Sequence, residues 1–343
     1  MRLAVALCAA ASLFGCSGVV TGGEGGGAGG GGIAGGIGGG TGVGGGGGGS
    51  GGAGGGADAS VPDGGSGGGS GGGGTTSDGG RYFSTDRGEF FGASRCAGTG
   101  AVLCDDFESR AVGQAPDPAT WSLEFWNSGT ASIQVDSTQA ARGTKSVHFR
   151  TGNAPNKAMM VVKKIFPMPN DAFCVRMFMY VEKVPLPFKY NDTANFPLIH
   201  WTFASASGPY NFPSGTKSPD VRAGGAINRV LLLNEDGMDR NEIGIDDTPP
   251  AGHAELPEKQ WICMELYWNA PASEMRVIWD GVEHTKLHLT ATNNGGNGAW
   301  PLPKFDQLLL GWTHYQQYDK VGPNFDVWID EVAVDSQRIG CSR

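Results

Sequence analysis

The sequence predicts an all-β fold, a two-sheet sandwich of jelly-roll type, preceded by a glycine-rich linker. Three observations predict it. After Arg81, short runs of aromatic and β-branched residues alternate with polar ones at period two. Clusters of Gly, Pro, Asn and Asp separate these runs. No segment carries apolar residues at a convincing helical spacing. A dozen or so strands in roughly 260 residues suit two packed sheets.

The chain opens with Met1-Arg2 and an apolar stretch from Leu3 to Phe14. That stretch is too short to span a bilayer and reads as an export signal. It ends in Leu13-Phe14-Gly15-Cys16, which resembles the bacterial lipobox and implies lipidation at Cys16. Residues 1–16 are then the signal, and the protein sits on the outer membrane or cell surface. The alternative is an ordinary signal cut near Ala9 to Ser12 and a secreted product. Phe14 departs from the usual lipobox residue.

Residues 17–80 form the linker. Of 61 glycines in the chain, 37 fall between Thr21 and Gly80. The block has no Gly-X-Y period and almost no apolar side chains, so it forms neither collagen nor a core. A flexible chain of this length spans about 40–46 Å root-mean-square. Its Gly64-Gly65-Ser66-Gly67-Gly68 matches a nucleophile elbow in letters only, because no strand or helix flanks it.

Residues 81–343 are the foldable domain. It holds 24 basic and 30 acidic residues, a balance that argues against nucleic acid as a partner. The strand readings, in order, are 102–107, 132–136, 146–150, 159–165, 173–181, 197–203, 226–233, 261–268, 275–280, 308–315 and 325–334. Asp280-Gly281, between Val277-Ile278-Trp279 and Val282-Glu283-His284, signals a two-residue hairpin.

With Cys8 and Cys16 in the signal, five cysteines remain: Cys96, Cys104, Cys174, Cys263 and Cys341. Export favours pairing. Cys174 and Cys263 lie in two look-alike strands and are expected to bond across one sheet. Cys341 then joins Cys96 or Cys104, and one thiol is left over.

In that register, Val175, Met177 and Met179 with Ile262, Met264 and Leu266 form the core face. Cys174, Arg176, Phe178 and Tyr180 with Trp261, Cys263, Glu265 and Tyr267 form the other. This second face reads either as a concave sugar-binding surface, with Tyr180, Glu265 and Tyr267 as contacts, or as a solvated face with an Arg176–Glu265 pair. In Pro197–Phe203, alternation sets Ile199, Trp201 and Phe203 on one side and Leu198, His200 and Thr202 on the other. A lone histidine such as His200 has a structural reading beside a functional one. In the later run, Gly311, Thr313, Tyr315 and Gln317 share a face, with Gly311 leaving room for a ligand.

Leu103-Cys104-Asp105-Asp106-Phe107-Glu108, with Trp121, resembles the start of concanavalin-like jelly rolls. Leu198-Ile199-His200 is similar to the Gln-Ile-His strand of alginate-lyase-type jelly rolls. Gly311 to Gln317 is similar to their Tyr-bearing strand. The whole pattern resembles the polysaccharide-lyase-like jelly-roll family, whose relatives include glucuronan lyases and a cellulose-induced fungal protein. It departs from the family where Leu198 replaces a Gln and where an Arg-Ser-Glu-Leu strand is reduced to Val175-Arg176-Met177.

The resemblance implies β-elimination at a uronate. A proton leaves C5 once the adjacent carboxylate is neutralised, and an acid protonates the departing O4. By that resemblance Arg176 neutralises charge, His200 is base or carboxylate partner, Tyr315 is acid or base, and Asn228 or Gln317 replaces the missing amide. No cofactor is required. Relatives often hold structural calcium near the termini, for which Asp106, Glu108, Asp330 and Asp335 offer oxygens; the same acids also read as strand caps.

A retaining hydrolase needs two carboxyls about 5–5.5 Å apart. Asp326 and Asp330 share a face but lie about 13 Å apart along a strand. The expected partner is a polysaccharide, engaged by a lyase or by a non-catalytic binding domain. The protein is expected to be a monomer that meets a membrane only through its lipid.

Overall fold

The computed structural model describes residues 76–78, 81–126, 129–152, 155–184, 199–226, 231–236, 243–246, 256–294, 302–316 and 324–343. All lie in the compact unit Gly68–Arg343. Strand β1 (Thr76–Asp78), which falls within the residues read as linker, pairs with β2 (Arg81–Phe83) as a separate ribbon. A four-residue helix, α1 (Cys96–Thr99), precedes β3 (Leu103–Asp105) and β4 (Ser122–Trp126). Next come β5 (Ser132–Asp136), β6 (Ser146–Gly152), β7 (Asn156–Val162) and β8 (Ala172–Val181).

The middle of the chain supplies β9 (Ile199–Ser207), β10 (Tyr210–Phe212), β11 (Gly215–Lys217) and β12 (Asp220–Ala226). It continues with β13 (Leu231–Asp236), β14 (Ile243–Asp246) and β15 (Trp261–Asn269). The last four are β16 (Glu274–Trp279), β17 (Val282–Leu289), β18 (Gln307–Gln316) and β19 (Asn324–Asp335). Among the described residues no helix is long and apolar enough to cross a membrane.

Two antiparallel sheets carry the domain. One runs β14-β13-β12-β9-β18-β7-β4, and the other runs β17-β16-β15-β8-β19-β6-β5 with β3 beside β19. The interleaving follows from alternation. Val175, Met177 and Met179 face inward from β8, and Ile262, Met264 and Leu266 from β15, as expected. Ala158, Met160, Trp201, Phe203, Leu308, Leu310 and Trp312 meet them from the other sheet. Each large side chain buried this way contributes about 1.5–3 kcal/mol. The Asp280-Gly281 turn forms as read, with φ of 47° and 81°. Positive φ at both central positions matches the strand twist, and Gly281 adopts it without a Cβ penalty.

The disulfides differ from the sequence expectation. Cys96 bonds Cys104, and Cys263 bonds Cys341. Cys174 is the buried free thiol. The register gives the reason: Cys263 opposes Phe178 and Cys174 opposes Tyr267. The two cysteines are thus four residues out of step, about 13 Å along the strands, where a bridge reaches ~7 Å at most.

The outward face of the eight-stranded sheet is covered over β8 and β15. Phe90, Ala141, Phe178, Cys263 and Cys341 form a second small core there, flanked by Phe91 and Trp261. The segment around Arg338–Arg343 and the loops near Phe90 and Arg142 cover it.

Candidate functional site

β9 and β18 are neighbours in the middle of the seven-stranded sheet. Inward residues join them to each other and to the opposite sheet: Trp201 and Trp312 stack at 5.3 Å and 13°, and His314 packs against Phe325 of β19 at 4.8 Å. Pairing is regular up to Leu310–Ala204 and then shifts, so that Thr313 opposes Thr202 and Tyr315 opposes His200. The bulge lies on β18 relative to β9, where Gly311 and Trp312 face the single residue Phe203. Without that shift, Tyr315 would oppose Ile199. Opposed residues of an antiparallel pair bring their Cβ atoms to about 4.5–5.5 Å. On the other side of β9, Ala226 opposes His200.

Gly311 itself does not leave room for a ligand. Its φ is +146°, and a Cβ there would meet the Ala158 carbonyl at 2.3 Å and the Phe149 ring at 2.8 Å. The space is taken by the neighbouring strand β7 and by Phe149 of the opposite sheet.

The same outer face continues to the β4 edge. Thr313 opposes Lys157, and Lys157 opposes Trp126. Lys157 Nζ donates to Glu124 Oε2 at 2.5 Å and lies 5.8 Å from the centroid of the Trp126 ring. Trp126 is 48% exposed. Beyond this row, Met159, Val161 and Leu309 form a small buried apolar cluster. Arg222 is paired with Asp220 at 3.9 Å.

Sequence reading misses Trp126 and Glu124 because Ser122–Trp126 is a short edge strand, and Lys157 because the strand reading there begins only at Met159. The signal of β4 is present: Leu123 faces the core while Glu124 and Trp126 flank its exposed side.

Arg176 is not part of this face. It lies on β8 in the other sheet, fully buried and directed away from the core between the sheets. Its Nη1 donates to the Arg343 carbonyl, and Nη2 is 3.4 Å from Glu331. Burial pulls its guanidinium below the ordinary arginine value, while Glu331 and Glu265 oppose that shift. Beside it, Arg142 donates to both Glu331 oxygens at 2.9 Å and to the Phe90, Cys341 and Arg343 carbonyls. A bulge makes this possible. Between Asp330 and Ala333 the pairing with β8 shifts, and Glu331 has φ +43°, so both acids reach the outer side. The three residues assigned to catalysis are therefore not brought together: two lie on one sheet and Arg176 on the other.

The sugar contacts read on the Arg176 face are likewise engaged within the protein. Glu265 is buried, opposite Arg176 as expected, but accepts hydrogen bonds from Arg338 at 2.9 Å and from the Gly340 N–H at 2.8 Å. Tyr180 lies between Trp261 and Trp328. Burial, then the neighbouring Glu182, raises its hydroxyl above the ordinary tyrosine value. Tyr267 sits under the Arg276 guanidinium at 4.5 Å. Alternation said that these residues face away from the core; it did not say that they face water. Asn228 and Gln317 lie outside the described residues, as does Cys16.

The acids offered for calcium are each hydrogen-bonded within the protein. Asp106 accepts from Ser94 Oγ and the Glu108 N–H. Glu108 accepts from Thr144 and Lys145. Asp330 accepts from the Ala141 and Arg142 N–H groups, and Asp335 from the Ser336 N–H. They do not converge into the six-to-eight-oxygen cage that calcium takes. Among the described residues, the one group of three metal-type ligands is Cys96, Cys104 and Glu331. Its two sulfurs are bonded to each other.

No family model matches the chain, and no curated protein matches it. Among solved structures, it is similar to the cellulose-induced protein Cip1, with 18% identity and a TM-score of 0.49 over 70% of this chain and 99% of that one. It is also similar to an endo-β-1,4-glucuronan lyase from the fungus Trichoderma reesei, with 11% identity and a TM-score of 0.47 over 69% of this chain and 96% of that one. A third is the CBM22-1 xylan-binding domain of Paenibacillus barcinonensis Xyn10C, with 10% identity and a TM-score of 0.32 over 68% and 93%.

Proposed function

We propose that this protein engages a polysaccharide on the outer face of its seven-stranded sheet, around His200 and Tyr315. One observation carries the reading. The register opposes these two chemistry-bearing residues on central strands, on the face that also presents Thr202, Thr313, Lys157 and Trp126. Binding needs only such polar and aromatic groups at fixed spacing.

β-Elimination at a uronate is the second reading, favoured by the His–Tyr opposition itself. In that reaction the C5 proton passes to a base, its electron pair forms the C4=C5 double bond, and the C4–O4 bond breaks. An acid then returns a proton to O4. Histidine has an ordinary value near 6.5 and suits the base role at neutral pH, whereas tyrosine near 10 suits the acid role. With Arg176 on the other sheet, charge neutralisation falls to other groups, so binding is the conclusion and elimination the finer proposal.

The test is affinity electrophoresis of the purified chain in gels holding glucuronan, alginate or pectate, with the ultraviolet absorbance of unsaturated products followed in parallel. Retention that weakens in His200→Ala and Tyr315→Phe supports the site. Retention by none of the polymers overturns it. Absorbance that appears with wild type and vanishes in both variants supports elimination; retention with no absorbance on any uronate leaves binding alone.

Lipidation at Cys16 and display at a cell surface complete the proposal. Fatty-acid label incorporated by the wild type and absent from Cys16→Ala is the expected result, and equal labelling rejects the anchor.

A further inference from the structure

We infer that Trp126, with Lys157 and Glu124, forms a second sugar subsite at the β4 edge, and that the ligand is therefore an oligosaccharide or longer chain lying across the strands. The inference rests on the polysaccharide reading of this face. Trp126, Lys157, Thr313 and Thr202 occupy one row across β4, β7, β18 and β9. Three interstrand steps span about 14 Å, longer than one pyranose ring. His200 and Tyr315 fall two residues further along their strands, so one ligand reaching both ends must hold several linked units.

The chemistry at Trp126 is that of a stacking platform with a polar rim. A half-exposed indole on a sheet face exposes apolar area that a folded chain gains by covering. The C–H face of a pyranose with equatorial hydroxyls matches it, leaving the hydroxyls at the ring edge. Glu124 stands there as an acceptor and Lys157 as a donor. Lys157 is already neutralised by Glu124, and Glu124 is the more exposed of the two. The unit on Trp126 is therefore held through its C–H face and hydroxyls, not through a carboxylate. A uronate carboxylate brought here would meet Glu124 before Lys157.

The experiment uses the full chain with the variants Trp126→Ala, Trp126→Phe and Glu124→Gln. Affinity electrophoresis is run against the polymer that retains the wild type, and again with a competing monosaccharide and trisaccharide of that polymer. Trp126→Ala is expected to weaken retention about tenfold, equivalent to ~1.4 kcal/mol, with the fold retained because the side chain is half-exposed at a sheet edge. Trp126→Phe is expected to keep most of the affinity. Glu124→Gln is expected to strengthen retention on uronate polymers by releasing Lys157. The trisaccharide should compete and the monosaccharide should not.

Wild-type retention with no loss in Trp126→Ala, or equal competition by monosaccharide and trisaccharide, overturns the subsite. Failure of the wild type to be retained by any polymer removes the binding reading itself, which is a separate and visible result.

Discussion

Replacing Arg176 by Met separates a structural role from a catalytic one. The guanidinium is buried, with one hydrogen bond to Arg343 and an ion contact to Glu331 at 3.4 Å. Its Nε and Nη2 make no hydrogen bond. Breaking a buried ion pair costs about 3–5 kcal/mol when the partner is left alone. Glu331 is not left alone, because Arg142 holds both its oxygens and the Arg95 N–H binds Oε1. Met also restores packing on Phe178, which the guanidinium now faces at 5.4 Å. The expected loss is therefore at the low end, about 3 kcal/mol. At ~2–4 °C per kcal/mol for a domain of this size, melting falls by about 6–12 °C. Circular dichroism with the disulfides intact measures this, and affinity electrophoresis below the transition measures function. Melting should fall while retention of the folded protein stays at the wild-type level. A variant with wild-type melting and lost retention or product formation would refute the reasoning, because Arg176 would then have to reach the ligand.

Asp330→Asn tests the same cluster through pH. Burial pushes the Asp330 carboxyl up to about 7. A carboxyl raised in the folded state favours folding most below its unfolded value near 4 and costs stability as pH rises toward 7. The cost approaches about 4 kcal/mol at ~1.4 per unit. Asn keeps an acceptor for the Ala141 and Arg142 N–H groups, so the variant should gain on the wild type as pH rises from about 4 to 7 in melting experiments; a pH-independent difference rejects this. Gly311→Ala should lower the urea midpoint by the equivalent of about 2–4 kcal/mol, combining overpacking with a strained φ. An unchanged midpoint with lost retention would return Gly311 to the ligand face.

Much of the fold was legible because burial in a sandwich is one-sided and strands repeat every two residues. The inward faces of β8, β15 and β9 and the Asp280-Gly281 hairpin were readable from a few neighbouring residues each. β4 was overlooked as a short edge strand, and Trp126 with it. His200 and Tyr315 were legible as polar positions on their strands, but their opposition was not. It depends on a one-residue bulge at Gly311–Trp312, which alternation along one strand cannot reveal. Cys174 and Cys263 showed similar surroundings, but similarity of two strands does not set their register, and four residues of offset were enough to send Cys263 to Cys341.

By itself, then, the sequence determined that the domain is all-β and which side of its most regular strands, such as β8 and β15, turns inward. Those properties follow from local composition and periodicity. Only the tertiary structure decided what covers the outward faces. Arg176 meets Arg343 across 167 positions, and Arg142 meets Glu331 across 189. A side chain excluded from one core is free to enter a second, and nothing local to β8 records that the end of the chain folds over it.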